Sequence, residues 1–222
     1  MIILTAILIF WLFTLVFFFK EIRAIQERDP AAKSVIEVLV LYSGLHAIVF
    51  HHLAHGMWKL KLPLFARMVS QFARWITGIE IHPGAVLGSG ILIDHGMGVV
   101  IGETAIVGDN VTFYQGVTLG GTGKETGKRH PTLGNNIVVG AGAKVLGNIT
   151  IGDNSYIGAN AVVLQSVPPN TTVVGVPGHI TKQDGEKIDK KLAHAQILDP
   201  IVEDIEELAR RIKALEQGKR EK

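Results

Sequence analysis

Cysteine is absent from all 222 residues. Without a thiol the chain can form no disulfide, no zinc–thiolate site and no acyl-cysteine intermediate. Charge is also scarce. Asp, Glu, Lys and Arg make up 19% of the residues, against roughly 25% in an average soluble domain. The charges nearly cancel, with 22 basic and 20 acidic side chains. No concentrated basic excess is available to neutralise a phosphate backbone, so nucleic acid is not an expected partner. What the chain has in plenty is apolar surface, 47% of residues with a mean hydropathy of +0.31, which excludes a disordered polymer. It also has 25 glycines, about 11% against the usual ~7%, which points to many tight backbone corners.

The first nineteen residues are apolar. Met1 to Phe19 carries no charge, and Thr5 and Thr14 are its only polar residues. At ~1.5 Å per residue such a helix reaches close to the ~30 Å hydrocarbon core of a bilayer. Lys20, Arg23, Arg28 and Lys33 follow at once. The positive-inside rule then places the remainder in the cytoplasm, anchored to the inner face of the cell membrane through residues 1–19. No basic stretch precedes the run and no small-residue cleavage site ends it, so a cleavable signal peptide fits poorly. The alternative is a helix buried in an oligomer.

Residues 20–78 read as helical. Asp29-Pro30 has the form of a helix start, with Asp as N-cap and Pro at the first helical position. A further helix is expected from about Leu64 to Ile76, ending near Gly78. Residues 79–179 then carry an internal repeat. Aliphatic or aromatic residues recur every six: Ile81, Leu87, Ile93, then after a two-residue slip Ile101, Val107, Phe113 and Leu119. After a loop they resume at Leu133, Val139, Val145, Ile151, Ile157 and Val163. A small or branched residue sits four positions on, as at Ala85, Val111, Val117, Ala143, Ser155 and Ala161, and Gly often follows the first residue directly. A period of six is neither that of a strand nor that of a helix; it stacks short coils into a solenoid. The expected coil is triangular, with the first residue pointing inward, the small one in a corner, and Gly relaxing the backbone where the chain turns. The loop 120–132 interrupts it with Gly-Gly-Thr-Gly-Lys-Glu-Thr-Gly-Lys-Arg-His-Pro-Thr. Residues 180–222 form a charged tail in which Ile201, Ile205, Leu208, Ile212 and Leu215 are spaced as one face of an amphipathic helix. The fold class is α+β: N-terminal helices, a parallel β-helix and a C-terminal helix.

Several segments are more specific than the repeat. They are Gly-Ile-Glu-Ile-His-Pro-Gly-Ala (78–85), Ile-Asp-His-Gly-Met-Gly-Val-Val-Ile-Gly-Glu-Thr (93–104), Gly-Val-Thr-Leu-Gly-Gly-Thr-Gly-Lys (116–124) and Lys-Arg-His-Pro (128–131). With Arg-Asp-Pro-Ala-Ala (28–32), the His-rich run 45–55 and Gly-Val-Pro-Gly (175–178), they closely resemble serine O-acetyltransferase, over about residues 20–183. The resemblance implies a left-handed β-helix and transfer of acetyl from acetyl-CoA to the L-serine hydroxyl, giving O-acetyl-L-serine and CoA for cysteine biosynthesis. It also implies a homotrimer with each active site at a subunit boundary.

Acetyl transfer from a thioester to a hydroxyl needs a base, and histidine suits the task at working pH. His95, in a Gly-rich break of the repeat, is the expected catalytic base. By the resemblance Glu80 is its carboxylate partner, although many family members carry Asp there. Asp29 and Asp94 would hold the serine ammonium, Arg129 and His130 its carboxylate, and Glu103 would line the site. Thr122, Ala141 and Ala159 match positions beside the pantetheine arm of acetyl-CoA. Each has a plainer reading: Glu80 and the 128–130 loop as solvated charge, Asp29 as the N-cap, the small residues as coil packing. His46, His51, His52 and His55 lack the His-Glu-x-x-His pattern, and no metal is expected.

Three other functions share the fold. A different hydroxyl acceptor would keep the coil and His95, but Asp29, Asp94 and Arg129 together answer a zwitterion rather than a neutral sugar. A metal enzyme of the γ-carbonic-anhydrase type needs three converging histidines, and the coil offers only His82, His95 and His130. A non-catalytic membrane-tethered scaffold would bind CoA without turnover. The N-terminal helical region is shorter than that of the family's hexamers, so a trimer is expected. The chain ends Arg-Glu-Lys, without the terminal isoleucine that some members insert into O-acetylserine sulfhydrylase. No stable complex with that enzyme is expected.

Overall fold

The computed structural model describes residues 5, 11, 12, 14–123, 126–187 and 211. Much of the 1–19 segment, and all of the helix expected at 201–215 except position 211, lie outside them. Among the described residues the helices with defined bounds are α1 (Phe19–Arg28), α2 (Val35–Leu41), α3 (Ser43–Lys59) and α4 (Pro63–Thr77). The helical path already runs through residues 14–17, since Phe18 N–H donates to Thr14 O and Ile22 N–H to Phe18 O. Thr14 and Phe18 are buried, and the Phe18 ring lies 5.1 Å from that of His52 on α3.

The helix expected to open at Asp29-Pro30 opens instead at Ser34. Asp29 is the C-cap of α1, in extended conformation, with its N–H bonded to Ile25 O. Its Oδ1 accepts Ala31 N–H at 2.8 Å, an Asx turn that reverses the chain. Ser34 caps α2 by accepting Glu37 N–H at 3.1 Å, and Glu37 reaches back to Lys33 N–H. This is a capping-box arrangement. α2 and α3 then meet at a 65° bend at Tyr42. Among the described residues no single helix is long and apolar enough to cross a membrane; α2 and α3 pass that test of length and composition only as this bent pair. α4 has Pro63 at its start and closes on Gly78 in the left-handed region at φ 72°.

Thirteen two- or three-residue strands follow, from β1 (Glu80–Ile81) to β13 (Val162–Val163), each ending at or beside one of the period-six residues. They pair in parallel into three sheets. β1, β4, β7, β10 and β13 form the first, β2, β5, β8 and β11 the second, and β3, β6, β9 and β12 the third. Three sheets joined in strict rotation make a triangular prism. The inward residues are buried apart from half-buried Leu87, and the small corner residues Ala85, Val111, Val117, Ala143 and Ala161 are fully buried. Each large inward side chain contributes about 1.5–3 kcal/mol of burial. The third sheet continues through β14 (Thr171–Val174), then turns antiparallel into β15 (His179–Gln183) and β16 (Glu186–Lys187), which close its end.

The glycines do not act as the repeat suggests. Those following the inward residue have ordinary φ. They are needed because the next coil is too close: a Cβ on Gly134 would meet Asp153 Oδ1 at 2.1 Å, and one on Gly152 would meet Pro169 N at 2.3 Å. The left-handed corners are shared between asparagine and other glycines, Gly98, Gly116 and Gly142 holding that conformation between the third and first sheets and asparagine most of the edge between the second and third. Asn110, Asn136, Asn154 and Asn170 have φ of 55–59°, a region their short amide tolerates better than other side chains. Stacked along the edge between the second and third sheets, they hand hydrogen bonds down the prism. Asn110 donates to Asn136 at 3.3 Å, Asn136 to Asn154 at 3.1 Å, and Asn154 to Asn170 at 3.0 Å.

Candidate active site

The other two prism edges carry the candidate site residues apart from Asp29, which follows α1, and Glu80, which lies in β1. Asp94 and His95 lie where the chain passes from the third sheet to the first. Here the two-residue slip between Ile93 and Ile101 becomes visible. The ladder holds on both sides of it, through Asp94 N–H to Phe113 O and Gly98 N–H to Gly78 O. The extra length therefore projects outward as a bulge at His95-Gly96-Met97. His95 adopts φ 57°, and its side chain is 72% exposed. A positive φ at a non-glycine residue costs of order 1 kcal/mol or more and marks a position held by its surroundings.

The N-terminal helices bring further groups to this bulge. Gly44, in the first turn of α3, lies so close to β3 that a Cβ there would meet Ile93 O at 2.2 Å. This approach sets the α2–α3 bend against the coil. The resulting cleft, of 270 Å³, is lined by Asp29, Ala31, Leu41, Tyr42, Ser43, Gly44, Ile93, Asp94 and His95. Asp29, Asp94 and His95 thus share one cleft although 65 residues separate Asp29 from Asp94. Tyr42 Oη donates to Asp29 Oδ2 at 2.6 Å. Asp94 Oδ2 stands 3.9 Å from His95 Nε2. Glu80 has a different partner: its carboxylate meets Arg74 Nη1 of α4 at 3.2 Å, and no hydrogen bond among the described residues joins it to His95. Ala141 and Ala159 occupy the same edge two and three coils further on, after β9 and β12.

The edge between the first and second sheets carries the other set. Glu103 lies after β4, and the loop between β7 (Thr118–Gly120) and β8 (Thr132–Leu133) supplies Thr122, Arg129 and His130. Arg129 Nη2 and Glu103 Oε2 pair at 2.5 Å. This bond outweighs the opposing effect of burial and holds the Glu103 carboxyl below its usual range. Thr104 ties the loop down, its Oγ1 accepting the N–H groups of Arg129 and His130 at 3.0 and 3.1 Å. Lys128 Nζ donates to the carbonyls of Thr104 and His130. His130 is buried, its Nδ1 accepts Thr104 N–H at 3.1 Å, and its ring lies over Gly102. Burial first, then the neighbouring Arg129, pushes its pKa down. The neutral ring therefore carries its proton on Nε2 and is a donor there.

Tyr42, Gly44 and Thr104 were not evident as site residues. Thr104 belongs to the Gly-Glu-Thr segment, and Tyr42-Ser43-Gly44 interrupts two apolar helical runs, so both signals were in the sequence. Two histidines of the 46–55 run have backbone partners. His46 Nε2 bonds Leu39 O, and His55 Nδ1 bonds Pro83 O, both at 2.7 Å. Among the described residues no three His, Asp or Glu side chains are placed to hold a metal.

Comparison with known proteins agrees with this architecture. The bacterial transferase hexapeptide (six repeats) family matches residues 130–165. A serine acetyltransferase of Staphylococcus epidermidis is 56% identical over 198 residues, covering 89% of this chain and 93% of that protein. Soybean serine acetyltransferase complexed with serine superposes with a TM-score of 0.71 at 45% identity, covering 72% of this chain and 66% of that one. The Brucella abortus serine acetyltransferase in complex with coenzyme A gives 0.72 at 47% identity, covering 76% and 66%. The prism is thus the left-handed parallel β-helix of the hexapeptide-repeat enzymes, and the chain belongs to the serine acetyltransferase family.

Proposed function

We propose that the chain transfers the acetyl group of acetyl-CoA to the L-serine hydroxyl, giving O-acetyl-L-serine and CoA. The observation that carries this reading is the shared cleft, in which the exposed His95 imidazole stands beside two carboxylates, Asp29 and Asp94. The carboxylates answer the serine ammonium. His95 takes the hydroxyl proton as the serine oxygen attacks the thioester carbonyl. As the carbon–sulfur bond breaks, the same ring returns the proton to the leaving thiolate. Asp94, 3.9 Å from the ring, stabilises the imidazolium between these steps, and Glu80, which here meets Arg74, is the second carboxylate proposed to orient it.

Arg129 and His130 lie on a different prism edge from His95. A homotrimer, in which one edge of each subunit faces another edge of its neighbour, brings the two sets together. Arg129, shared with Glu103, and the His130 Nε2 donor then hold the serine carboxylate. Small side chains at Ala141 and Ala159 leave the His95 edge open along its length for the thin pantetheine arm. Residues 1–19 attach the protein to the cell membrane, with the catalytic domain in the cytoplasm. Supporting this, the segment is uncharged and Leu12, Val16 and Phe17 are more than 60% exposed. Asp at these three positions is expected to release the protein into the soluble fraction; retention with membranes would refute the attachment.

The reaction is tested by thiol release from acetyl-CoA. The protein has no thiol, so a thiol-reactive dye reports free CoA alone. Release is expected with L-serine and not with L-homoserine, a sugar acceptor or no acceptor. His95→Ala should lower kcat by about 10²–10⁴ while CoA binding survives. Silence of the wild-type protein with serine would refute the reaction, and a near-wild-type rate for His95→Ala would remove His95 from the base role.

A further inference from the structure

The cleft contains a fourth polar side chain that the chemistry above does not use. Tyr42 sits at the junction of α2 and α3, as C-cap of one and N-cap of the other. Its backbone is fixed on both sides, with Tyr42 N–H bonded to Val38 O and Tyr42 O accepting His46 N–H. Two residues on, Gly44 presses against Ile93, so the phenol cannot move independently of the coil that carries Asp94. From this fixed point Tyr42 Oη reaches Asp29 Oδ2 at 2.6 Å, while Ala31 N–H holds Asp29 Oδ1 at 2.8 Å.

Each Asp29 oxygen is therefore held by one donor, and each keeps accepting capacity free, since an ionised carboxylate has about four lone-pair sites. The Ala31 bond is local and fixes Asp29 only to its own turn. The Tyr42 bond is the long-range one, and it ties that turn to the α3–coil contact. Burial first, then the hydrogen bond to Asp29, raises the Tyr42 pKa above its usual range. The hydroxyl thus remains a donor at every working pH.

We propose that Tyr42 is a positioning residue for L-serine: it acts through Asp29, setting that carboxylate at a fixed offset from Asp94 and His95 so that the ammonium binds with its hydroxyl at the base. This rests on the reading of the cleft as the serine pocket. Tyr42 does not touch the reacting atoms, so its effect falls on acceptor binding. A tyrosine that served only to join α2 to α3 would affect both substrates and the stability of the fold.

The test is Tyr42→Phe, which keeps the ring and removes the donor, in the full-length protein. Initial rates are measured over varied L-serine and varied acetyl-CoA. The KM for serine is expected to rise about tenfold, the effect of losing one hydrogen bond to a charged group. The kcat and the KM for acetyl-CoA should stay within about twofold. A double-mutant cycle with Asp29→Asn supplies the second readout, because a residue acting through Asp29 has little left to lose once the carboxylate is gone. In the Asp29→Asn background Tyr42→Phe should change kcat/KM for serine by less than about twofold. An unchanged KM for serine in active Tyr42→Phe, a loss shared with acetyl-CoA, or full multiplication of the two effects would each overturn the proposal. Wild-type protein without serine-dependent thiol release would overturn the functional reading itself, and that is seen before any variant is made.

Discussion

Replacing Gly44 by alanine tests how the N-terminal helices and the coil build one cleft. A Cβ on Gly44 would lie 2.2 Å from Ile93 O and 2.9 Å from Ile93 Cβ. The carbonyl oxygen is backbone and β3 is hydrogen-bonded on to β6, so the coil cannot yield. Ordinary contact begins near 3.4 Å, which requires α3 to recede by about 3.4 − 2.2 = 1.2 Å. Overpacking of this kind costs about 1–3 kcal/mol, offset by up to ~1 kcal/mol from the better helix propensity of alanine. The catalytic cost is larger than the net cost in stability. A shift near 1 Å in a positioning element is enough for about a 10²-fold loss of rate, and α3 carries Ser43 and Gly44 of the cleft with Tyr42 at its cap. Gly56 supplies the control: it lies in the same helix, and a Cβ there meets nothing within 4 Å. Gly56→Ala should stabilise the protein by about 0.5–1 kcal/mol and leave turnover unchanged. Thermal unfolding and the thiol-release assay, run on both variants, separate the two effects. Gly44→Ala with the melting temperature and kcat/KM of Gly56→Ala would show that the Gly44–Ile93 approach does not set the cleft.

Two further predictions concern the fold. Asn154 combines a left-handed backbone with two side-chain bonds in the asparagine ladder, so Asn154→Gly should lose only the bonds, and Asn154→Ala should cost about 1 kcal/mol more because alanine is strained there; equal melting temperatures for the two would refute the conformational part. His51 is 3% exposed, and burial, helped by neighbouring histidines, lowers its pKa to about 3. Between pH 6.5 and 3 the unfolded chain binds a proton that the native state refuses, so stability falls as pH drops through this window, by up to ~1.4 kcal/mol per pH unit. Burial also lowers the pKa values of His52 and His82, which adds in the same direction. His51→Leu should flatten this acid limb in melting temperatures taken from pH 7.5 to pH 4; an unaltered slope would remove His51 as its source.

The prism was legible because each inward position has a single kind of neighbour. Ile101 stacks between Ile81 and Leu119, and every coil repeats that environment, so six-residue spacing alone reports it. The position of His95 was legible for the complementary reason: the step of eight from Ile93 to Ile101 cannot fit a six-residue turn, and the surplus must leave the coil. Corner chemistry was less so. Gly-Asp-Asn at 108–110 and 152–154 contains both the residue excluded by the next coil and the residue in the left-handed region, and the two roles went to the wrong one. Asp29-Pro30 has the same local signature whether it starts a helix or turns after one. What decides it is Ser34 with Glu37, a better cap five residues on. The pairing of Tyr42 with Asp29 was hidden further still, because it depends on a 65° bend at Tyr42 and on the close approach of Gly44 to the coil, neither of which local sequence reports.

Arg129 shows why composition of a site does not settle its strength. Its guanidinium already meets Glu103 at 2.5 Å, with both side chains about a third exposed. A substrate carboxylate binding there joins an existing pair rather than a free cation, so the gain is the difference between two partly solvated interactions and smaller than either. Glu103 also fixes the fork, which lowers the ordering cost of binding. Removing Glu103 therefore has two opposed effects, a freer positive charge and a looser arm. Their balance is set by how firmly Thr104 and Lys128 hold the loop without it, and those bonds go to backbone groups that a Glu103→Gln substitution leaves in place.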